Sequence, residues 1–365
     1  MRKIATTILA IIFFAIMGEA KSVNTMNNVE PGFECGVSGA FTGTTNGLII
    51  QAGGCNFPED QLGPKSQKKF YKGIYTIKET NTGYETDLIG ELPHEWAYGA
   101  TVSTPDGMVL IGGNDATQNY HDVYRLTVNK DNVAELSALP SLPVFMDNFA
   151  AAYSNGKIYA GGGNVNGQPS NAMYVLDTTK CCGNWEELPS FPGNPRVQPV
   201  MAITTDKNRD ETLYLWGGFA GKGEGREATL NTDGLKFNLK NQEWESVEGP
   251  KTFKGEDISL GGGAVTQLSD GKVVATGGVN KDIFLEALRN QAPDYLLHPI
   301  SWYRFNPFIL VFDPETETWE VKGSTSGSAR AGAGMVTDSN NDIWVLGGEL
   351  KPRIRTAEIF IIKND

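Results

Sequence analysis

Residues 342–348 read DIWVLGG, and the same shape recurs five times upstream: LIIQAGG at 48–54, MVLIGG at 108–113, KIYAGGG at 157–163, TLYLWGG at 212–218 and KVVATGG at 272–278. Each is a short run rich in apolar residues, many of them β-branched or aromatic, and is closed by two glycines. A buried strand running into a tight turn reads this way. The glycine pairs begin at 53, 112, 162, 217, 277 and 347, with spacings of 59, 50, 55, 60 and 70 residues. A period of that length marks one supersecondary unit per repeat, so the chain is built from six such units.

The remainder of each unit also recurs. A small-residue strand precedes the glycine pair, as in AAAYSNG and GAGMVTDSN, joined to it by a turn rich in Asn, Asp and Gly. A strand with Tyr or Phe follows, as in GIYTI, DVYRLTV, AMYVLD, GLKFNL and ILVFDP, and a fourth often carries Trp, at Trp185, Trp244 and Trp319. Each unit is therefore a four-stranded antiparallel sheet that cannot cover both of its faces alone. The sheets must stack radially, giving an all-β, six-bladed, kelch-type β-propeller over residues 21–365. The composition agrees: 43 glycines, 10% aromatic residues and only 20% charged residues suit neither a helical bundle nor a disordered chain. The diglycines read as packing elements that admit close backbone approach, because no P-loop pattern follows any of them.

Two regions break the repeat. The last unit has only TAEIFII after its diglycine, so its outer strand must come from the other end of the chain. Residues 22–31 are expected to supply it, so that both termini close one blade. After Gly278 an insertion, 281–304, holds KDIFLEALRNQ, which has helical spacing up to Pro293, and an aromatic-rich stretch beyond it. A long loop on a rigid scaffold suits either function or a packed lid.

At the start, Arg2 and Lys3 precede an apolar run from Ile4 to Met17, followed by the small residues Gly18 and Ala20. The run is shorter than the ~20 residues needed to span a bilayer, so residues 1–20 read as a cleaved secretory signal peptide, cut after Ala20. That implies a periplasmic or secreted protein with no membrane span after cleavage. Its removal takes off Arg2, Lys3 and Glu19 and leaves 29 basic against 42 acidic side chains. Nucleic acid is not an expected partner for so acidic a chain. Export permits disulfides among Cys35, Cys55, Cys181 and Cys182; a Cys35–Cys55 bridge is geometrically possible, and the adjacent pair 181–182 is a poorer candidate. His94, His121 and His298 are scattered without metal-ligand spacing, so no metal site is expected.

Strand alternation brings the loop after each diglycine and the links between blades to one face. This gathers Asn56, Asn114, Asp115, Asn164, Asn280, Asp282 and Glu349, with Arg196 and Arg330 on the links. Asn and Asp there also serve as turn formers. The segment GGELKPRIRTAE differs, because it sets Glu349 beside Lys351, Arg353 and Arg355 in an otherwise acidic protein. Such a cluster suits a small carboxylated ligand held by guanidinium forks, or else is solvated loop charge of little energetic weight. Substrate-binding candidates are Arg196, Asn280, Arg330, Lys351 and Arg353.

GGELKPRIRT, with TGGVNKDIF, FILVFDPETETW and GVSGAFTGTTNGLIIQAGG, resembles the kelch-type N-acetylneuraminate mutarotases, or sialate epimerases, over essentially all of 31–365 and most specifically over 272–360. The motif order differs from that of the family, in which the GGELKPRIRT-like unit lies mid-chain, and so looks cyclically permuted. The resemblance implies a cofactor-independent isomerase that interconverts the α and β anomers of N-acetylneuraminate, with Glu349 exchanging protons and Arg355 binding or polarising the sugar. Sialidase boxes are missing and copper ligands do not converge. The remaining rival is a non-catalytic kelch module that binds carbohydrate or protein, since fold does not fix function.

Overall fold

The computed structural model describes residues 18–21, 23–27, 29–81, 83–180 and 183–363. Six antiparallel sheets follow one another along the chain. Their innermost strands are Phe41–Thr45, Ala100–Thr104, Ala150–Ser154, Val200–Thr205, Gly263–Gln267 and Gly334–Thr337. Each inner strand packs beside the next, and the sixth returns to the first, so the ring is closed. The expected diglycine runs form the second strand of every blade. Trp185, Trp244 and Trp319 sit in the fourth strands of blades three, four and five.

The blades are cemented by six apolar cores, one per junction. Between blades one and two lie Phe41, Ile50, Trp96, Met108 and Leu110, all fully buried. Between blades four and five Tyr214, Trp216, Leu310 and Phe312 are equally buried. Cutting any one of these to alanine removes contacts with two sheets at once and costs about 2–5 kcal/mol.

Both glycines of every pair take positive φ, as at Gly347 (61°) and Gly348 (95°), so the pair turns the chain as well as admitting a neighbour. The approach is close: a Cβ on Gly277 would lie 2.3 Å from the Arg330 carbonyl oxygen of the next blade. In return, Gly278 N–H donates to that carbonyl at 2.8 Å, as Gly54 does to Trp96 and Gly348 to Val37.

Just before each inner strand one residue adopts a left-handed backbone: Gly39, Tyr98, Asn148, Gln198, Gly262 and Gly332. Their peptide groups form a complete cycle around the axis. Tyr98 N–H donates to Gly39 C=O (2.8 Å), Asn148 to Tyr98 (2.7 Å), Gln198 to Asn148 (2.7 Å), Gly262 to Gln198 (3.0 Å), Gly332 to Gly262 (2.8 Å) and Gly39 to Gly332 (2.9 Å). This cycle forms the rim of the central channel.

Two expectations need correction or placement. The strand that completes blade six is Gly18–Lys21, antiparallel to Ile359–Ile362, and not a segment of 22–31. Val23–Asn27 goes instead to blade one, where it runs parallel to Gly83–Glu91 as a fifth strand. The short Ile359–Ile362 strand needs only four partners, and the chain then crosses to the next free edge. The closing strand lies across the expected cleavage point after Ala20; residues 1–17 of that leader fall outside the described residues. Among the described residues no helix is long and apolar enough to cross a membrane.

The insertion forms a helix at Lys281–Asn290, a 3-10 turn at Tyr295–Leu297 and a short helix at Ile300–Tyr303. Its underside, with Ile283, Phe284, Tyr295 and Tyr303, packs on Leu230, Ala329 and Ala331 at the rim end of blades four to six.

Candidate active site

After the blade-six diglycine the chain makes a small hairpin, Glu349–Lys351 with Ile354–Arg355, in which Glu349 stands directly opposite Arg355. Cross-strand neighbours in a hairpin face each other at close range. A six-residue offset in sequence thus becomes an ion pair of 3.0 Å between Glu349 Oε2 and Arg355 Nη1. The turn is closed by Arg353, whose φ is 72° and whose N–H donates to Glu349 Oε1 at 3.1 Å. Ser38, from the link into blade one, accepts from Arg355 Nε at 2.7 Å and fixes the guanidinium from behind.

Exposure separates the two partners: the Glu349 side chain keeps 22% and that of Arg355 only 4%. The carboxyl therefore meets the mouth of the channel while the guanidinium supports it. Burial pushes the Glu349 carboxyl above the ordinary range, opposed by Arg355, the Arg353 N–H and Lys68. A carboxyl displaced upward in this way exchanges protons nearer neutral pH. A second rim carboxylate behaves oppositely. Burial would raise Asp115, but bonds from the Tyr120 hydroxyl, both Thr117 groups and Gln118 N–H outweigh it and hold it at about 2. Asp115 is thus a fixed negative charge.

The remaining candidates divide. Arg353 joins the cluster, with its guanidinium 5.5 Å from the Phe57 ring centre. Lys351 is buried and turns away, donating to the carbonyls of Leu296 (3.2 Å) and His298 (2.6 Å); it ties the insertion to the hairpin rather than facing a ligand. Arg196 and Arg330 lie at the expected end of the propeller, but their side chains point into blade junctions. Arg196 bonds Gly217 C=O and both Asp233 carboxylate oxygens, and Arg330 bonds the carbonyls of Gly347 and Glu358. Asn280 caps the insertion helix by accepting from Asp282 and Ile283 N–H. Strand direction gave the end of the propeller for these residues, but not the side-chain heading. Cys35 and Cys55 are free thiols, and Cys181 and Cys182 lie outside the described residues.

Other residues at the mouth were not foreseen. Tyr98 takes the rim position of blade two; its hydroxyl accepts from Cys55 Sγ at 3.1 Å and from Lys68 Nζ at 3.3 Å, and burial keeps its phenol well above its usual range. Phe57 receives Arg355 at 5.4 Å as well as Arg353. Aligning the six repeats on GAFTG, YGATV, NFAAA, QPVMA, GGAVT and GAGMV would have shown Tyr98, Asn148 and Gln198 where blades five, six and one have glycine. On the polar half of the rim, Gln198 donates to Asn148 Oδ1 at 2.7 Å, while Asn148 and Asn164 both donate to Asp147. The glycine half lies beside Glu349 and is open.

Comparison with known proteins identifies the family of the chain. A family profile described as N-acetylneuraminate epimerase matches residues 139–364. The N-acetylneuraminate epimerases of Escherichia coli (strain K12) and Shigella flexneri are 32% identical over 240 residues, which is 62% of this chain and 61% of theirs. The chain thus spans 61% of the length of the curated relatives it matches. The solved structure of YjhT aligns with a TM-score of 0.51 at 31% identity, over 61% of this chain and 64% of that one.

Proposed function

We propose, from the premise that the chain belongs to the N-acetylneuraminate epimerase family, that it interconverts the α and β anomers of N-acetylneuraminate by opening and reclosing the sugar ring. The observation that carries this is the Glu349 carboxyl, mostly buried but still reaching the mouth, raised by that burial and backed by the fixed guanidinium of Arg355. Ring opening removes the proton of the anomeric hydroxyl, breaks the bond between the anomeric carbon and the ring oxygen, and protonates that oxygen. Rotation in the open keto form and reversal of these steps give the other anomer. Protons leave and return in equal number, and no electrons are transferred to any partner.

Glu349 is suited to both transfers, because it takes a proton as carboxylate and returns it as acid. Arg355 keeps the carboxylate accessible by opposing the cost of burying it, and Arg353 N–H fixes its orientation. The cyclic order implied by the motifs also supports the reading. A chain-order alignment of permuted rings captures only part of each, and the shared portions here are 61–64%. Export past the inner membrane belongs to the same proposal and rests on the N-terminal composition; a cut after Ala20 would take Gly18–Ala20 out of the strand that completes blade six.

The test is proton NMR of freshly released α-N-acetylneuraminate, followed with and without the purified protein. Faster growth of the β signals is the expected result. A time course equal to that of buffer alone, at any protein concentration, removes the reading in favour of a binding module.

A further inference from the structure

Lys68 and Arg353 reach the mouth from different blades, Lys68 from the loop after the blade-one diglycine and Arg353 from the blade-six hairpin. Neither has a carboxylate partner within ion-pair distance among the described residues. Lys68 Nζ lies 5.8 Å from the centre of the Phe57 ring, Arg353 Cζ 5.5 Å and Arg355 Cζ 5.4 Å. Three cations thus gather on one aromatic ring, each within the ~6 Å over which a ring face attracts positive charge. One carboxylate, Glu349, is paired among them, and it is engaged by Arg355. In a chain of formal charge −12, this is a local excess of positive charge held at a channel mouth.

The backbone of Arg353 points the same way. A φ of 72° is a conformation that non-glycine residues rarely adopt, and glycine would occupy it without cost. Arginine at that place retains a guanidinium that makes no hydrogen bond or ion pair among the described residues. Beside Lys68 and Tyr98 a cleft of about 600 Å³ opens along the rim, of the size that small-molecule sites show. Asp115 lines the same cleft as a fixed negative charge, which disfavours an anion beside it and leaves the Lys68 side for one.

We propose that Lys68 and Arg353, gathered on Phe57, form the subsite that holds the carboxylate of the sugar acid, with Tyr98 steering the Lys68 ammonium. This rests on the proposed sugar-acid substrate, and it assigns the anion to groups other than Arg355, whose pairing with Glu349 is then left intact during turnover. Phe57, Lys68 and Tyr98 all lie outside residues 139–364, the stretch that the family profile matches.

The test compares binding of N-acetylneuraminate and its uncharged methyl ester by calorimetry, with anomer exchange followed in parallel by NMR. The variants are Lys68→Met, which keeps the stem, and Arg353→Gly, which suits the left-handed backbone, singly and together. Wild type is expected to prefer the acid by about 10–100-fold, the range for one or two hydrogen bonds to a charged group. Each variant should lose several-fold of that preference and the pair nearly all of it, through binding of the acid and not of the ester. A double variant that retains the wild-type preference overturns the subsite. If wild type binds the acid without speeding exchange, the mutarotase reading falls, and the acid-to-ester ratio still decides the subsite. If wild type binds neither compound, both fall.

Discussion

Arg196 and Arg330 belong to the same end of the propeller as Arg353 and Arg355, yet the two pairs serve opposite purposes. Arg196 and Arg330 stand two residues before the rim residue of blades four and six. The matching positions in the other blades hold Val37, Trp96, Met146 and Leu260, and all six residues are 2% exposed or less. The position is a plug beneath the diglycine, and an arginine there spends its donors on the carbonyls around it. Arg353 and Arg355 occupy a hairpin that extends beyond the repeat. A residue's place in the repeat, more than its type, therefore separates scaffold from site: what recurs at a fixed step packs the ring, and what departs from it is free to meet a ligand.

The largest effect that would sharpen this contrast is expected at Glu349. Glu349→Gln preserves shape but removes proton exchange, and anomer exchange measured by NMR should fall by about 10²–10⁴-fold, the usual contribution of a positioned acid or base. Full activity in that variant would break the assignment.

Next comes a plug residue. Arg330→Met substitutes the residue that already fills this position in blade three, so volume is accommodated, but the carbonyls of Gly347 and Glu358 lose their donor. We expect a loss of about 3 kcal/mol in urea unfolding, since each buried group left unsatisfied costs ~1–3 kcal/mol. Arg353→Gly should show no such loss, and equal destabilisation by both would erase the distinction between the pairs.

How much could be read from the chain follows from the same contrast. Six glycine pairs at a regular step announce the blades, because the turn they make is needed six times. Glu349 and Arg355 were legible through the motif that contains them. Lys68, Phe57 and Tyr98 were not, because they come from blades one and two and meet blade six only when the ring closes. Arg196 and Arg330 were misplaced for a related reason: the loops that carry them lie at the mouth, but their side chains turn beneath it.

A third prediction concerns pH. Burial raises the Glu349 carboxyl and Arg355 opposes that rise. The acid limb of the pH–rate profile should therefore lie above the ordinary carboxylate range in wild type. Arg355→Met removes a lowering influence, so its residual activity should show that limb at higher pH still. A limb that stays in place or moves down would show that Arg355 does not act on the carboxyl.

The smallest effect is steric. A Cβ at Gly262 meets nothing closer than Gln198 Oε1 at 3.1 Å, and its φ of 72° is one that asparagine tolerates. Gly262→Asn should fold normally and raise KM by a few-fold, by placing on the open half of the rim the kind of side chain found on the other half. An unchanged KM would mean that the glycine half is not the way in.

The six peptide links around the channel behave as a hoop. Each residue in it donates to one neighbour and accepts from the other, so the strand order has no weakest junction at this level, even where the chain ends meet in blade six. One blade cannot lean outward without stretching the links on both sides. The aperture is therefore fixed in radius, and admission and release of a ligand fall to what stands above the hoop: side chains such as Lys68, and the insertion tethered by Lys351. In deuterium exchange, the amides of Gly39, Tyr98, Asn148, Gln198, Gly262 and Gly332 should accordingly open together and late, while those of the insertion helix exchange first.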